Sequence, residues 1–272
     1  MQMKFFSIVM VSLNSGEKLK QTLTTVLKQT FVNYEVVIKD GGSKDHSLDF
    51  LKLEGYLDKY PQIRLIEQKD KSIYDGMNQA LSYVQGRYVQ FLNCGDLFYD
   101  DRVLEKTAAF ITAHRLPKAI YYGNQFNLMQ QSVVTSAPQI NDFTCYRNVP
   151  CHQVCFYDCE LFANRAYLPE YTVRADYEHF LYSVYEEKAQ TISMPVIVCS
   201  YEGGGYSETK ENRMKSARQH KEITNKYLGK KAIWYRMIMI LSLAGLRTKI
   251  AESPVLSRPY NWLKSMIYKL RQ

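Results

Sequence analysis

The chain has 272 residues, 46% apolar and 23% charged, enough for one large domain, or a domain with an appendage, around a sizeable core. Low-complexity and solenoid classes are excluded, since there is no Pro- or Ser-rich tract and no internal repeat. The net charge of +8 is uneven: Lys210 to Gln272 holds 15 Lys/Arg against 3 Asp/Glu, and the rest 20 against 24, a basic tail suited to nucleic acid or an anionic membrane surface.

The opening Met1 to Ser12 run is short, lacks a small-residue cleavage site and turns polar, which predicts a first strand rather than a signal peptide. Its apolar core is Phe5 to Leu13. A helix is predicted over Glu17–Gln29, a second strand over Tyr34–Lys39, and a helix capped by Ser43 that runs through Leu48, Leu51 and Leu57. A strand follows at Ile63–Ile66, a helix at Ile73–Val84, a strand at Tyr88–Leu92 and a helix at Val103–His114. This alternation predicts an α/β fold with a mostly parallel sheet covered by helices. The second half is less regular. Short strands are expected at Ala119–Tyr122, Gln125–Met129, Val133–Ser136 and Gln153–Tyr157, a helix at Ala175–Glu187, and a strand at Thr191–Ser200. Beyond them lie a polar, basic helix at Glu208–Tyr227 and apolar helices at Ala232–Leu246 and Tyr260–Leu270. The six cysteines, three of them at Cys151, Cys155 and Cys159, match no common zinc spacing. They read as free thiols of a reducing cytosol.

Ligands of open α/β sheets bind beyond the carboxyl ends of the strands, where strand order reverses. The four ends carry Asn14-Ser15-Gly16, Asp40-Gly41-Gly42-Ser43-Lys44-Asp45, Glu67-Gln68-Lys69-Asp70 and Asn93-Cys94-Gly95-Asp96. Neither a G-x-G-x-x-G turn nor a P-loop is present. Asp40 stands where an acid can hydrogen-bond a nucleotide's sugar or base, although Asp-Gly after a strand also makes a turn. With strand order 3-2-1-4, Asp96 lies beside Asn14 and faces the crevice of Asp40. A carboxylate there suits a divalent cation shared with a diphosphate, and a turn or helix cap is the bland alternative.

Ser12-Leu13-Asn14, Leu27-Lys28-Gln29, the Tyr34 to Asp45 stretch, Ile73-Tyr74-Asp75-Gly76-Met77-Asn78 and the Gly86 to Asp96 stretch, in this order, resemble the inverting glycosyltransferases of family 2. The similarity spans roughly residues 5 to 205 and leans towards bacterial colanic-acid and exopolysaccharide biosynthesis enzymes. It implies a GT-A fold, a nucleotide-diphospho-sugar donor and a divalent metal, Mg or Mn. It also implies donor contacts from Ser12, Asn14, Asp40, Asp70, Asn78 and Asn93, with Asp40 at the base or ribose and Asn78 at the diphosphate. Asp96 becomes the last acid of the metal-binding D-x-D region. Asn93 and Gly95 stand where many members have acids. Arg174-Ala175-Asp176-Tyr177-Glu178 matches the element that carries the general base, with Asp176 in that position and Glu178, also placed on the acceptor side but two residues along the helix and so on a different face, as its rival. Cys151-His152-Gln153 matches an acceptor-side His-Gln, and Gly203-Gly204-Gly205-Tyr206-Ser207 a family loop.

The expected organisation is therefore a catalytic domain over 1–207, its donor half about 1–115 and acceptor half 116–207, followed by a basic amphipathic tail over 208–272. The tail's apolar runs are too short to span a bilayer and have the composition of interfacial helices. The expectation is a cytoplasmic enzyme held at the inner face of the plasma membrane. Its acceptor is a glycan, expected to be lipid-linked, and nucleic acid is not expected as a partner. Packing of the tail on the protein or in a homodimer is the alternative. Two other functions stay open: a nucleotidyltransferase making the activated sugar, which expects a Gly-rich basic loop after strand one, and a non-catalytic nucleotide-sugar-binding subunit.

Overall fold

The computed structural model describes residues 3–201, 209–242, 250, 253 and 256–269. The first half follows the expected alternation: β1 (Lys4–Ser12), α1 (Glu17–Leu27), β2 (Tyr34–Asp40), α2 (Asp49–Lys52), α3 (Tyr56–Lys59), β3 (Ile63–Glu67), α4 (Ile73–Leu81), β4 (Gly86–Phe91), β5 (Leu97–Phe98) and α5 (Val103–Ala113). The second half adds β6 (Ala119–Asn127), β7 (Ser132–Val134), α6 (Asp142–Arg147), β8 (Cys155–Asp158), α7 (Ala175–Tyr185), β9 (Gln190–Tyr201), α8 (Lys210–Leu228), α9 (Lys230–Leu241) and α10 (Ser257–Lys269).

One mixed sheet runs in the order β3-β2-β1-β4-β8-β6-β9-β5, with β7 paired to β6. Its first four strands are parallel, so the reversal point lies between β1 and β4 as the 3-2-1-4 order requires. Ser12 pairs with Asp40 and Asp40 with Glu67, which brings the three strand ends to one level. β1 and β2 are apolar runs closed on both sides by neighbours, as parallel central strands demand. All seven residues of β2 are buried. Its charged members are compensated: Glu35 accepts from Ser7 Oγ and the Gln85 N–H, and the Lys39 ammonium, fully buried, lies 2.8 Å from Asp70 Oδ2.

Three local expectations change. The single helix expected after Ser43 is two short turns, α2 and α3, separated at Gly55 with φ 72°. Ser43 serves the strand-end turn instead of a cap, its hydroxyl bonded to Asp40. The two strands expected at 119–122 and 125–129 are one continuous β6. Its pairing with β9 slips between Tyr122 and Gln125, opposite Pro195, which has no N–H to give the ladder. Gly123 fits that slip because a Cβ there would stand 2.4 Å from the Val196 carbonyl oxygen.

The basic segment does not stand apart from the body. Ile223 of α8 is fully buried in the main core, and Gln219 Oε1 accepts from the N–H groups of Val173 and Arg174, each at 3.1 Å. α9 packs Ala232, Tyr235 and Met239 over Tyr146 and Leu228. α10 is tied to the β7 region by Asn261 to Gln130 and Lys264 to the Thr135 carbonyl. The glycine loop at 203–207 and the end of the expected 232–246 helix lie outside the described residues.

Candidate active site

Asp176 is the second residue of α7, where the helix's unpaired N–H groups favour an anion. Tyr74 OH donates to its Oδ1 at 2.8 Å, and His152 Nδ1 lies 3.0 Å from its Oδ2. Burial opposes ionisation of this carboxyl, but His152, Tyr74 and the Tyr177 N–H outweigh it and hold it below the ordinary carboxylate range. The side chain keeps 24% of its surface open. It faces a cavity of about 1180 Å³ whose lining also includes Arg174, Arg213 and Arg258.

His152 and Gln153 occupy a single 3-10 turn between Cys151 and β8, and they join this cavity to the end of β4. Asn93 Nδ2 lies 3.0 Å from His152 Nε2. An amide nitrogen donates only, so Nε2 accepts and the ring proton sits on Nδ1, directed at Asp176. Next door, Gln153 Nε2 donates to Asp96 Oδ2 at 3.0 Å, and Gln90 Nε2 donates to the Gln153 carbonyl at 2.8 Å. Asp96 is 5% exposed, in the turn closed by its own N–H on the Asn93 carbonyl. Tyr74 is the member that sequence reasoning missed: it lay within the quoted 73–78 motif, but an aromatic on the buried face of a helix reads as core. Burial first, and then the neighbouring Asp176 charge, push its phenol well up, so it stays a donor.

At the ends of β1 and β2, Asp40 Oδ2 accepts from the N–H groups of Gly42 at 2.7 Å and Ser43 at 2.8 Å. Ser43 Oγ in turn accepts from the Asn14 N–H, and Asn14 Oδ1 from Lys44 N–H. Asn14 adopts φ 49°, a left-handed conformation that Asn tolerates better than most residues. Ser12 Oγ lies 2.8 Å from Ser15 Oγ. Asp70 comes up beneath this turn, held by Lys39. A Cβ on Gly41 would meet its Oδ2 at 2.7 Å, so glycine is what lets the acid approach.

Two residues expected at the site direct their polar atoms to other parts of the chain. Asn78 turns its amide to the main chain of Tyr167, donating to the carbonyl at 2.8 Å and accepting from the N–H at 2.9 Å. It clamps α4 to the loop that precedes α7. Glu178 is fully buried, on another side of α7 from Asp176. Arg165 grips it with two bonds of 2.9 and 3.0 Å, and Lys226 and Tyr227 of α8 complete the cage. The cysteines are free; Cys151 and Cys159 each turn a thiol, pushed up to about 12 by burial, to a protein oxygen.

Among the described residues no three His, Cys, Asp or Glu side chains gather as a metal cage. The fit of a divalent ion therefore rests on Asp96 and on Gln153 Oε1, buried beside it with no hydrogen-bond partner among the described residues. One carboxylate and an amide oxygen are a fitting protein share for a cation that takes its other ligands from phosphates and water.

Comparison with known proteins gives a consistent picture. The model of glycosyl transferase family 2 matches residues 7–168. The PGL/p-HBAD biosynthesis glycosyltransferase of Mycobacterium bovis is 32% identical over 210 residues, 75% of this chain and 79% of the relative. The UDP-Glc:alpha-D-GlcNAc-diphosphoundecaprenol beta-1,3-glucosyltransferase WfgD of Escherichia coli is 28% identical over 135 residues, 49% of this chain and 51% of that protein. Among solved structures, the mannosyltransferase PcManGT from Pyrobaculum calidifontis, in complex with GDP-Man and Mn2+, superposes with a TM-score of 0.62. It has 14% identity and covers 97% of this chain and 79% of its own.

Proposed function

The chain belongs to glycosyl transferase family 2, and from that premise we propose that its sugar donor lies over the ends of β1, β2 and β4 and its acceptor hydroxyl at Asp176. The observation that carries this reading is the chain of side chains from Asn93 through His152 to Asp176 and Tyr74, which ties the donor end of β4 to an ionised carboxylate on a cavity. In inverting transfer the acceptor oxygen attacks the anomeric carbon opposite the leaving diphosphate, and Asp176 takes its proton. Tyr74 and His152 each occupy one carboxylate oxygen and fix its direction, and with the Tyr177 N–H they still leave one of the four lone-pair sites for the acceptor proton. We assign the nucleoside to the turn organised by Asp40, beside Ser12 and Asn14, with Asp70 supporting that turn from below. We assign a divalent cation, Mg2+ or Mn2+, to Asp96 and Gln153. When bound, it would neutralise charge on the departing nucleoside diphosphate.

Screening nucleotide-sugars with Mg2+ or Mn2+ for a rise in Tm tests the donor half. Asp96→Ala is expected to abolish the metal-dependent part of nucleoside diphosphate binding while the fold persists. Unchanged binding would refute the assignment.

The Asp176 partners also set a pH dependence. A base held below the ordinary carboxylate range keeps kcat/KM flat until the pH drops under that range. His152→Ala removes the largest contribution holding it down. The acidic limb of kcat/KM is then expected to move to higher pH. A limb that stays in place would detach His152 from the base.

For the acceptor we propose a lipid-linked glycan met at an anionic membrane. No described helix is long and apolar enough to cross a bilayer. However, α9 leaves Ile233, Trp234, Met237, Ile240 and Leu241 exposed by 50% or more, and α10 exposes Trp262 at 66%. Lys230 and Lys231, both exposed, lie at the start of the first face. Apolar side chains bordered by cations suit the headgroup region of a membrane better than a dimer seam. The double change Trp234→Asp with Trp262→Asp should abolish sedimentation with phosphatidylglycerol liposomes at low salt without altering Tm. Equal sedimentation by the variant would move the contact elsewhere.

A further inference from the structure

The cavity in front of Asp176 is more basic than binding a neutral sugar requires. Arg174 from the segment before α7, Arg213 from α8 and Arg258 from α10 all line it. Asp176 is the sole carboxylate among the described residues of that lining. Three elements far apart in sequence thus send the same side-chain type into one space.

None of the three guanidinium groups is ion-paired to a carboxylate among the described residues, in contrast to Arg87, Arg102 and Arg165, each matched with an acid. Arg174 and Arg258 are anchored through Nε alone, the first to Ser216 Oγ at 2.8 Å and the second to the Gln130 carbonyl at 3.3 Å. That anchorage orients each group while its terminal N–H pairs make no described protein contact. Arg174 is further steadied over the ring of Tyr177, 5.3 Å from its centroid. An arginine with Nε tethered and its outer fork open is pre-arranged for oxygens placed in pairs, the geometry of phosphate.

We propose that these three arginines form a phosphoryl subsite, and that the acceptor is a sugar carried on a phosphate or diphosphate ester. The proposal rests on Asp176 being the base, since the subsite shares its cavity. A diphosphate is favoured over a single carboxylate because three guanidinium forks exceed what one carboxylate can engage. Its source is lipid: Trp262 lies one turn beyond Arg258 on the same side of α10 and is open to solvent. A phosphoryl group held by Arg258 therefore has an apolar exposed surface beside it, where an ester-linked lipid would leave the cavity.

The test uses the full chain saturated with UDP and Mg2+, so that the donor site is filled. Farnesyl diphosphate, inorganic pyrophosphate and farnesol are titrated calorimetrically as probes. Farnesyl diphosphate is expected to bind without displacing UDP. Exposed Arg213 and Arg258 can be replaced without disturbing the core, and Arg213→Gln with Arg258→Gln is expected to weaken it by about tenfold or more per arginine with UDP affinity intact. Binding of pyrophosphate as tight as that of farnesyl diphosphate would support phosphoryl recognition and overturn the lipid source. Equal affinity for farnesol, competition with UDP, or undiminished binding by the double variant would overturn the subsite. Should Asp176→Asn bind farnesyl diphosphate normally and still transfer sugar at full rate, the base assignment fails and the subsite stands. Failure of the probe to bind a chain whose Asp176→Asn variant is inactive sinks the subsite alone.

Discussion

Asp176→Asn is expected to leave nucleoside diphosphate binding intact and to lower the rate of sugar transfer by about 10²-fold or more, the usual contribution of a positioned general base. The amide keeps the volume of the carboxyl and can still meet Tyr74 and His152, so the cavity and helix α7 should persist. What it loses is proton affinity and the negative charge opposite the attacking hydroxyl. The measurement is single-turnover transfer together with donor titration on the same preparation. A near-normal rate would show that the acceptor proton goes elsewhere, and the assignment of the acceptor hydroxyl to this carboxylate would be lost.

Glu178→Ala, two residues along the same helix, is expected to behave in the opposite way. Its carboxylate is fully buried and holds Arg165, Lys226 and Tyr227. Removing it leaves Arg165 and Lys226, both partly open to water, without their acid and empties its buried site, at a cost on the order of 3 kcal/mol, or a fall in Tm of roughly 10 °C. Residual folded protein should still transfer sugar. The pH dependence has a definite sign. Burial opposes the charge of Glu178, but Arg165, Tyr227 and Lys226 together hold its carboxyl below its ordinary value. The stability it contributes is complete above its unfolded pKa of about 4.3 and is lost as the pH falls through the lower folded value. The gap in stability between parent and variant should therefore close in acid. A variant with unchanged Tm would mean that the cluster contributes no net stability.

The first half of the chain is more legible in the sequence than the second, for physical reasons. Parallel strands buried on both faces write continuous apolar runs, and their polar ends follow at once, so Asp40, Asp70 and Asp96 could be found by position alone. Asp176 was legible from its motif at the start of a helix, and helical geometry foretold that Glu178 would face elsewhere. The contacts of Asn78 and Tyr74 are not legible in the sequence because their partners, Tyr167 and Asp176, lie 89 and 102 residues away in the chain, and no local pattern encodes such a meeting. β6 was divided in two because its slip at Gly123 breaks the alternation on which strand reading depends. The basic tail was read by composition, which reports charge and apolarity but not the buried amide of Gln219 or the core position of Ile223.

That amide has a consequence for how the molecule can diversify. Gln219 holds the two backbone N–H groups immediately before α7, so the pose of Asp176 depends on a helix that contributes nothing to the donor end. Exchange or lengthening of the segment beyond α8 would therefore leave Asp176 in place, whereas replacement of α8 itself would not. The constraint on such exchange falls on the few side chains that cross the seam. Gln219 takes the Val173 and Arg174 N–H groups and Ser216 takes Arg174 Nε, and a recombinant that keeps these contacts keeps Asp176 in its pose.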